Sequence, residues 1–185
     1  MNFKEKYIFK PSNPIFPGLF EKEKERIEKS LGNIRIEHVG STAVAGLGGK
    51  GIIDILIVAP KEEWETVSGK LKALGYEYKK KDEVRENQRL FFMANLPDKE
   101  LGTRLYHIHL AYPGGIEQKR MIGFRDFLRS HPKEAEEYSE IKKKASEESQ
   151  KFSTKNEMRD AYSQTKEEFI EKFLAEIKND PKTVF

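Results

Sequence analysis

Apolar residues follow two patterns along this chain, near-continuous short runs and helical spacings, and the balance between them shifts midway. Residues 52–58, Ile52-Ile53-Asp54-Ile55-Leu56-Ile57-Val58, are apolar at every position but one, as in a central strand covered on both faces. Residues 34–39 give a second strand and 76–79 a short further one. Residues 89–94 and 103–111 read as the arms of a hairpin, joined by a 95–102 loop in which Pro97-Asp98 is a turn signal. Leu19, Phe20, Ile27 and Leu31 recur among Glu and Lys and stop at Gly32, which predicts an amphipathic helix over 19–31; a helix over 61–74 closes in the same way at Gly75. Residues 1–18, with Pro11, Pro14 and Pro17, read as an extended arm lying over the domain. After Pro113 the spacing is helical throughout, over 115–129, 132–149 and 155–178. The expectation is one α+β domain over 1–185, with a mixed-sheet half at about 19–112, a helical half at about 113–180, and a cleft between them.

Composition narrows this picture. A chain of 185 residues with 37% hydrophobic positions can bury the core of one compact domain. Charged residues make up 35%, but the signs are mixed and the net charge is only +3, so bulk charge argues against nucleic acid as a partner. The absence of cysteine excludes disulfides, thiolate chemistry and cysteine-ligated zinc. No apolar run approaches the ~18 residues of a membrane span, and MNFKEKYIFK lacks the apolar core of a secretion signal. A cytoplasmic protein with no membrane partner is therefore expected.

Two motifs match familiar patterns but fail on context. Gly46-Leu47-Gly48-Gly49-Lys50-Gly51 fits G-x-G-x-x-G, yet a dinucleotide fingerprint must follow a strand and open a helix, and these glycines run straight into a strand. Walker A fails because Gly51 follows Lys50 and Val44 holds the place of the first glycine. Tyr138-x-x-x-Lys142 and Tyr162-x-x-x-Lys166 each put both side chains on one helical face. Each pair reads either as a tyrosine packed at a helix–sheet seam beside a solvated lysine, or as a lysine aimed at phosphate.

The sharper chemistry lies at Ile36-Glu37-His38-Val39-Gly40-Ser41-Thr42 and at Asp54. Burying an acid within an apolar strand is costly unless it is paired or holds a metal. Gly40 allows close approach of backbone to a phosphate, and the Ser41-Thr42 turn that follows offers hydroxyl and backbone N–H donors. Facing that point, Asp54 can hold Mg²⁺ and Lys50 can supply a point charge; the structural alternative is a plain turn with Asp54 in an internal ion pair. Asp82, Glu83 and Glu86, in the loop before Arg89, are the further carboxylates that could reach Asp54. Glu37 and His38 alternate on their strand, so only one of them faces the cleft, and Arg125 and Arg129 lie four apart as a phosphate clamp or a solvated face.

HVGSTAVAGLGGKGIIDILIV resembles the H-[IV]-G-S-T-[AS]-V-x-G-L-x-x-K-P-I-I-D-I pattern of the GrpB-like family. His107-Ile108-His109-Leu110, Phe124 to Arg129, His131-Pro132 and the two Tyr–Lys pairs are similar to its later motifs, so the resemblance runs from about residue 30 to 175. It implies a polymerase-beta-like nucleotidyltransferase fold, whose pattern is Gly-Ser, then Asp-x-Asp, then a third acid on a later strand. The implied activity is Mg-dependent nucleotidyl transfer from a nucleoside triphosphate, with Asp54 catalytic and metal-binding. Gly40, Ser41, Thr42, Lys50, Arg89, Lys142 and Lys166 would meet a nucleotide or another phosphorylated small molecule. This chain departs from the pattern at Leu56, where the second acid belongs, and at Gly51, where the family has proline. His107 and His109, on one face of a strand at the third-acid position, are either metal or phosphate ligands or histidines hydrogen-bonded within the sheet. Arg89 resembles an arginine recurrent in the family and is expected to pair with Asp54 from a neighbouring strand. The other readings are a catalytically reduced phosphate-ligand-binding module and a protein-interaction scaffold built on the helical half.

Overall fold

The computed structural model describes residues 7–80 and 83–178. Its elements run α1 (Phe16–Leu31), β1 (Arg35–Val39), β2 (Ile53–Val58), α2 (Trp64–Ala73), β3 (Glu77–Tyr78), α3 (Glu83–Glu86), β4 (Arg89–Asp98), β5 (Gly102–Ala111), α4 (Ile116–Ser130), α5 (Pro132–Ser149) and α6 (Lys155–Lys178). A short 3₁₀ turn, Ser41–Ala43, follows β1, and another, Lys61–Glu63, precedes α2. The chain divides into two compact units. One comprises 13–43 and 52–125; the other, among the described residues, comprises 7–12, 44–51 and 126–178.

The first unit holds a five-stranded mixed sheet in the order β1-β2-β5-β4-β3, with β2 and β5 parallel and the other pairs antiparallel. Because strand side chains alternate, Ile53, Ile55 and Ile57 share one face with Tyr106, Ile108 and Leu110. That face packs against Phe16, Phe20 and Ile27 of α1 and Trp64, Val67 and Leu71 of α2, forming the main core. The opposite face carries Asp54, Leu56 and Val58 of β2 beside His107, His109 and Ala111 of β5. Burial on both faces explains why β2 reads as an unbroken apolar run.

Three boundaries differ from the sequence reading. Helix α1 starts at Phe16 rather than 19, because Pro17 sits in its first turn, where a missing N–H costs nothing. The hairpin arms are longer than predicted, with Asn95, Pro97 and Asp98 inside β4. Pro97 is tolerated there because β3 pairs only with Phe92 and Met93, leaving the far end of β4 at the sheet edge. The turn itself spans 99–101 and is braced by Asp98, whose carboxylate accepts the Glu100 and Leu101 N–H groups and pairs with Arg104 at 2.7 Å.

The second unit joins the Tyr7–Lys10 segment, the glycine-rich 44–51 connection and helices α5 and α6. Tyr7, Ala145, Met158 and Tyr162 form its buried cluster. Lys10 and Gly49 exchange two backbone hydrogen bonds, and the Phe9 ring fills the space where a Cβ on Gly48 would stand, 2.2 Å from its nearest atom.

One polar group is buried deep in the first unit. The Glu23 carboxylate of α1 accepts the Tyr76 hydroxyl at 2.7 Å and two guanidinium donors of Arg26, while Arg26 also donates to the Leu74 carbonyl. Burial first, and then the Glu23 charge and hydrogen bond, push the Tyr76 hydroxyl far above its ordinary range. Glu23→Ala should lower stability by about 2–3 kcal/mol, because it strands a buried hydroxyl, whereas Glu23→Gln keeps an acceptor and should lose less. Urea unfolding of the two variants checks the order; equal losses would contradict it.

Candidate functional site

The centre of the site is the junction of β1 with the turn that follows it. Val39 pairs with Asp54, so the chain leaves β1 directly beside the Asp54 carboxylate. Gly40 has φ of +71° there, and a Cβ at this position would stand 2.4 Å from Asp54 Oδ2. Glycine is thus required twice, for its backbone angle and for its missing side chain. The Thr42 hydroxyl is buried, donates to the Ile52 carbonyl at 3.1 Å and accepts from His38 Nε2 at 3.0 Å. It ties the turn to the start of β2. His38 stacks on Phe20 at 4.5 Å between ring centroids, on the core face, while Glu37 takes the Asp54 face.

Two imidazoles flank Asp54. His107 Nδ1 donates to Asp54 Oδ1 at 3.1 Å, and His109 Nε2 lies 3.6 Å from the same oxygen. The other nitrogen of His109, Nδ1, meets Arg89 Nη1 at 2.5 Å. A guanidinium can only donate, so Nδ1 is the acceptor and the ring proton resides on Nε2, facing Asp54. Arg89 Nε also pairs with Glu117 Oε2 at 3.0 Å. Asp54, His109, Arg89 and Glu117 therefore form a chain of alternating acceptors and donors across the sheet face, with the Phe91 ring against both histidines. Arg89 is two strands from Asp54 rather than on its neighbour, because β5 lies between β2 and β4, so it reaches the acid through His109 instead of pairing with it.

The electrostatics follow from these contacts. Burial raises the Asp54 carboxyl, but the contacts with His107 and His109 outweigh it and hold it well below the usual carboxylate range. Burial, and then the Arg89 charge, push His109 down to about 4, so it is neutral at pH 7. Burial lowers Arg89 as well; Glu117 opposes that shift, while Arg120 and Arg85 add to it.

The donors present do not fit the Mg²⁺ that the resemblance implies. Mg²⁺ takes hard oxygen ligands in near-octahedral array. Here one carboxylate stands with two imidazoles, and the nitrogen of His109 that faces it already carries a proton. The position of a second acid is Leu56, 0% exposed and packed with Val39, Val58 and Ala111 against Met121 and Ile122. Among the described residues, no group of three or more His, Cys, Asp or Glu side chains can hold a metal ion. Asp82 lies outside the described residues; Glu83 is exposed on α3, and the Glu86 carboxylate accepts the Tyr78 hydroxyl.

The structure groups the other predicted residues differently. Gly40, Ser41, Thr42, Asp54, Arg89, His107 and His109 belong to the first unit, and Lys50, Lys142 and Lys166 to the second. The Lys50 ammonium lies over the rings of Tyr7 and Tyr162, at 5.1 and 4.7 Å. Lys142 is buried, donates to the Gly48 carbonyl and lies 4.7 Å from the Tyr138 ring centroid; Lys166 is half-buried on α6. Arg125 is a buried strut rather than a clamp, bound to Glu37 at 2.8 Å and to the His38 carbonyl, while Arg129 pairs with Asp126. Sequence reasoning missed Glu117. Its signal was faint, one acid in the first helical turn after Pro113-Gly114-Gly115.

Two predictions follow from this geometry. Gly40→Ala should cost roughly 1–2 kcal/mol from the backbone angle and more from the collision with Asp54, and the cost should shrink in an Asp54→Ala background. Chemical unfolding of the four proteins of that cycle measures the coupling, and additive losses would refute it. For pH, the unfolded chain protonates His109 near 6.5 and the folded chain only near 4, so the unfolded state binds more protons between these values. Stability should therefore rise with pH across that window and decline as pH falls from 6.5 to 4, with a flatter profile in His109→Gln. A His109 ring that titrates near 6.5 by NMR in the folded protein would contradict this.

The GrpB protein family model matches residues 7–176. A UPF0157 protein of Pseudomonas aeruginosa is 36% identical over 170 residues, covering 89% of this chain and 64% of the relative. The glutamate-rich protein GrpB of Alkalihalophilus pseudofirmus is 30% identical over 163 residues, covering 86% of this chain and 88% of the relative. The chain thus spans slightly less than two thirds of the Pseudomonas protein it matches. Among solved structures, the conserved protein GrpB of Enterococcus faecalis superposes with a TM-score of 0.66 at 26% identity, over 90% of this chain and 99% of that one. A mutant of the Cid1 poly(U) polymerase bound to MgATP superposes with a TM-score of 0.52 at 10% identity, over 78% of this chain and 46% of that one, a likeness of fold alone. With a nucleotidyltransferase-like α+β fold and a family model that spans residues 7–176, this chain belongs to the GrpB family.

Proposed function

We propose that this chain binds a nucleotide or another phosphorylated small molecule at the Asp54 face of its nucleotidyltransferase-like sheet, as a catalytically reduced module. The observation that carries this reading is Leu56. Where a two-metal nucleotidyltransferase needs a second carboxylate, this chain buries a leucine in an apolar cluster with Val39, Val58 and Ala111. Two ions held ~3.5–4 Å apart need several shared oxygen ligands, and one carboxylate already accepting from His107 is a poor supply.

What supports a ligand role is that the site is neither sealed nor neutral. The Asp54 side chain keeps 22% of its exposure. Arg85, Arg89 and Arg120 are close enough for the other two charges to depress Arg89. Guanidinium groups recognise phosphate oxygens by paired hydrogen bonds and need no metal to do so. In this reading Asp54 accepts a ligand hydroxyl or amine and the arginines take its phosphate. Mg-dependent nucleotidyl transfer to an acceptor is the reading it competes with.

Thermal shift across ATP, CTP, GTP, UTP and coenzyme A, each with and without Mg²⁺, separates the two. A ligand at about 100 times its dissociation constant adds about 2.7 kcal/mol, well within detection. We expect stabilisation by at least one of these compounds in the absence of Mg²⁺, with no further gain when Mg²⁺ is added. A shift that requires Mg²⁺ and vanishes in Asp54→Asn would overturn the reading in favour of metal-dependent transfer.

A further inference from the structure

Glu117 stands between two cations at the site. Its Oε2 lies 3.0 Å from Arg89 Nε and its Oε1 3.5 Å from Arg120 Nη1, so each carboxylate oxygen serves a different guanidinium. A single anionic group bridging two guanidiniums is the arrangement that phosphate recognition also uses, since both oxyanions fit the same planar donor fork. The three side chains remain within reach of solvent, at 23% exposure for Arg89, 16% for Glu117 and 35% for Arg120. Arg89 cannot swing away to release its partner, because its Nη1 is held on His109 Nδ1. Glu117 can. It occupies the first turn of α4, whose backbone start is fixed by the Gly114 N–H donating to Gln118 Oε1 at 2.6 Å, so leaving the arginines requires rotation of the Glu117 side chain and no movement of the helix.

We propose that Arg89 and Arg120 are the receptor for a phosphate or diphosphate group, and that the Glu117 carboxylate occupies this receptor as an internal competitor until a ligand displaces it. The inference rests on the phosphate-ligand reading above and adds to it which residues take the anion and what the ligand must compete against. The charge balance supports it, since Arg85 and Arg120 both act on Arg89 as like charges and displacement of Glu117 by a more highly charged anion improves the match. The competition is modest by design of the helix, because a carboxylate in the first turn is only weakly favoured by the helix dipole.

The test is a titration of pyrophosphate into the full chain, followed by calorimetry and by the Arg89 Nε–H resonance. Glu117→Gln should bind pyrophosphate roughly tenfold more tightly than wild type, as expected for removing one charged competitor. Adding Arg120→Ala to Glu117→Gln should abolish the gain, and adenosine, which lacks phosphate, should show none. In wild type the Arg89 resonance should move with pyrophosphate. Equal affinities in wild type and a cooperatively melting Glu117→Gln would overturn the proposal. Should Glu117→Gln not fold, an Arg89 resonance that pyrophosphate leaves unmoved in wild type would overturn it instead. A nucleotide that stabilises wild type and Glu117→Gln to the same extent would sink the competitor and leave the ligand reading standing. If no phosphorylated compound stabilises wild type or variant, both fall.

Discussion

Everything distinctive about the sheet unit depends on how the Asp54 carboxylate is kept charged inside it. A lone carboxylate in a central strand would be driven to protonate by desolvation, at a cost of several kcal/mol. Here the backbone of Gly40 closes over one oxygen while the rings of His107 and His109 face the other. The turn after β1, the identity of residue 40 and the two histidines of β5 are all consequences of that requirement. Arg89 is the next consequence, since a neutral His109 needs a donor at Nδ1 to keep its proton directed at Asp54.

The buried charge of Asp54 is an electrostatic problem for the whole sheet face. This chain answers it with side chains. The carboxylate is compensated by hydrogen-bonded imidazole, the positive charge stands two strands away on a guanidinium, and the space next to Asp54 along β2 is closed with apolar atoms. The result is a face on which Asp54, His109, Arg89 and Glu117 compensate one another in sequence.

The elements were legible where local pattern and tertiary role coincide. β2 is buried on both faces and reads as such, and the three late helices carry their spacing in full view. Misreadings arose where a local signal had a different tertiary use. Pro97-Asp98 looks like the hairpin turn, but the sheet edge tolerates the proline and Asp98 braces the turn from within the strand. Arg89 was expected beside Asp54 because sequence order suggests strand neighbours, whereas the parallel β2–β5 pair inserts a strand between them. Gly40, Asp54, His107 and His109, which the structure brings together, stand out in the sequence because glycine and polar residues are conspicuous amid apolar strands. Glu117 was not, because an acid on a helix rich in acids and bases is the least conspicuous residue there is, and only three-dimensional placement distinguishes it.

The arm of the second unit carries a consequence for how the protein is made. Phe9 N–H donates to the Ser146 hydroxyl, and that hydroxyl donates to the Tyr7 carbonyl, across 137 and 139 positions of sequence. On a ribosome adding about 5–20 residues per second, the segment that begins at Tyr7 waits on the order of ten seconds for its partner to be synthesised. Over that interval Lys10 and Gly49 can find each other, but the tyrosine ring has neither Tyr162 nor Met158 to bury against. The glycine-rich connection between β1 and β2 therefore reaches its native setting only late in synthesis, after the strands on either side of it have all emerged.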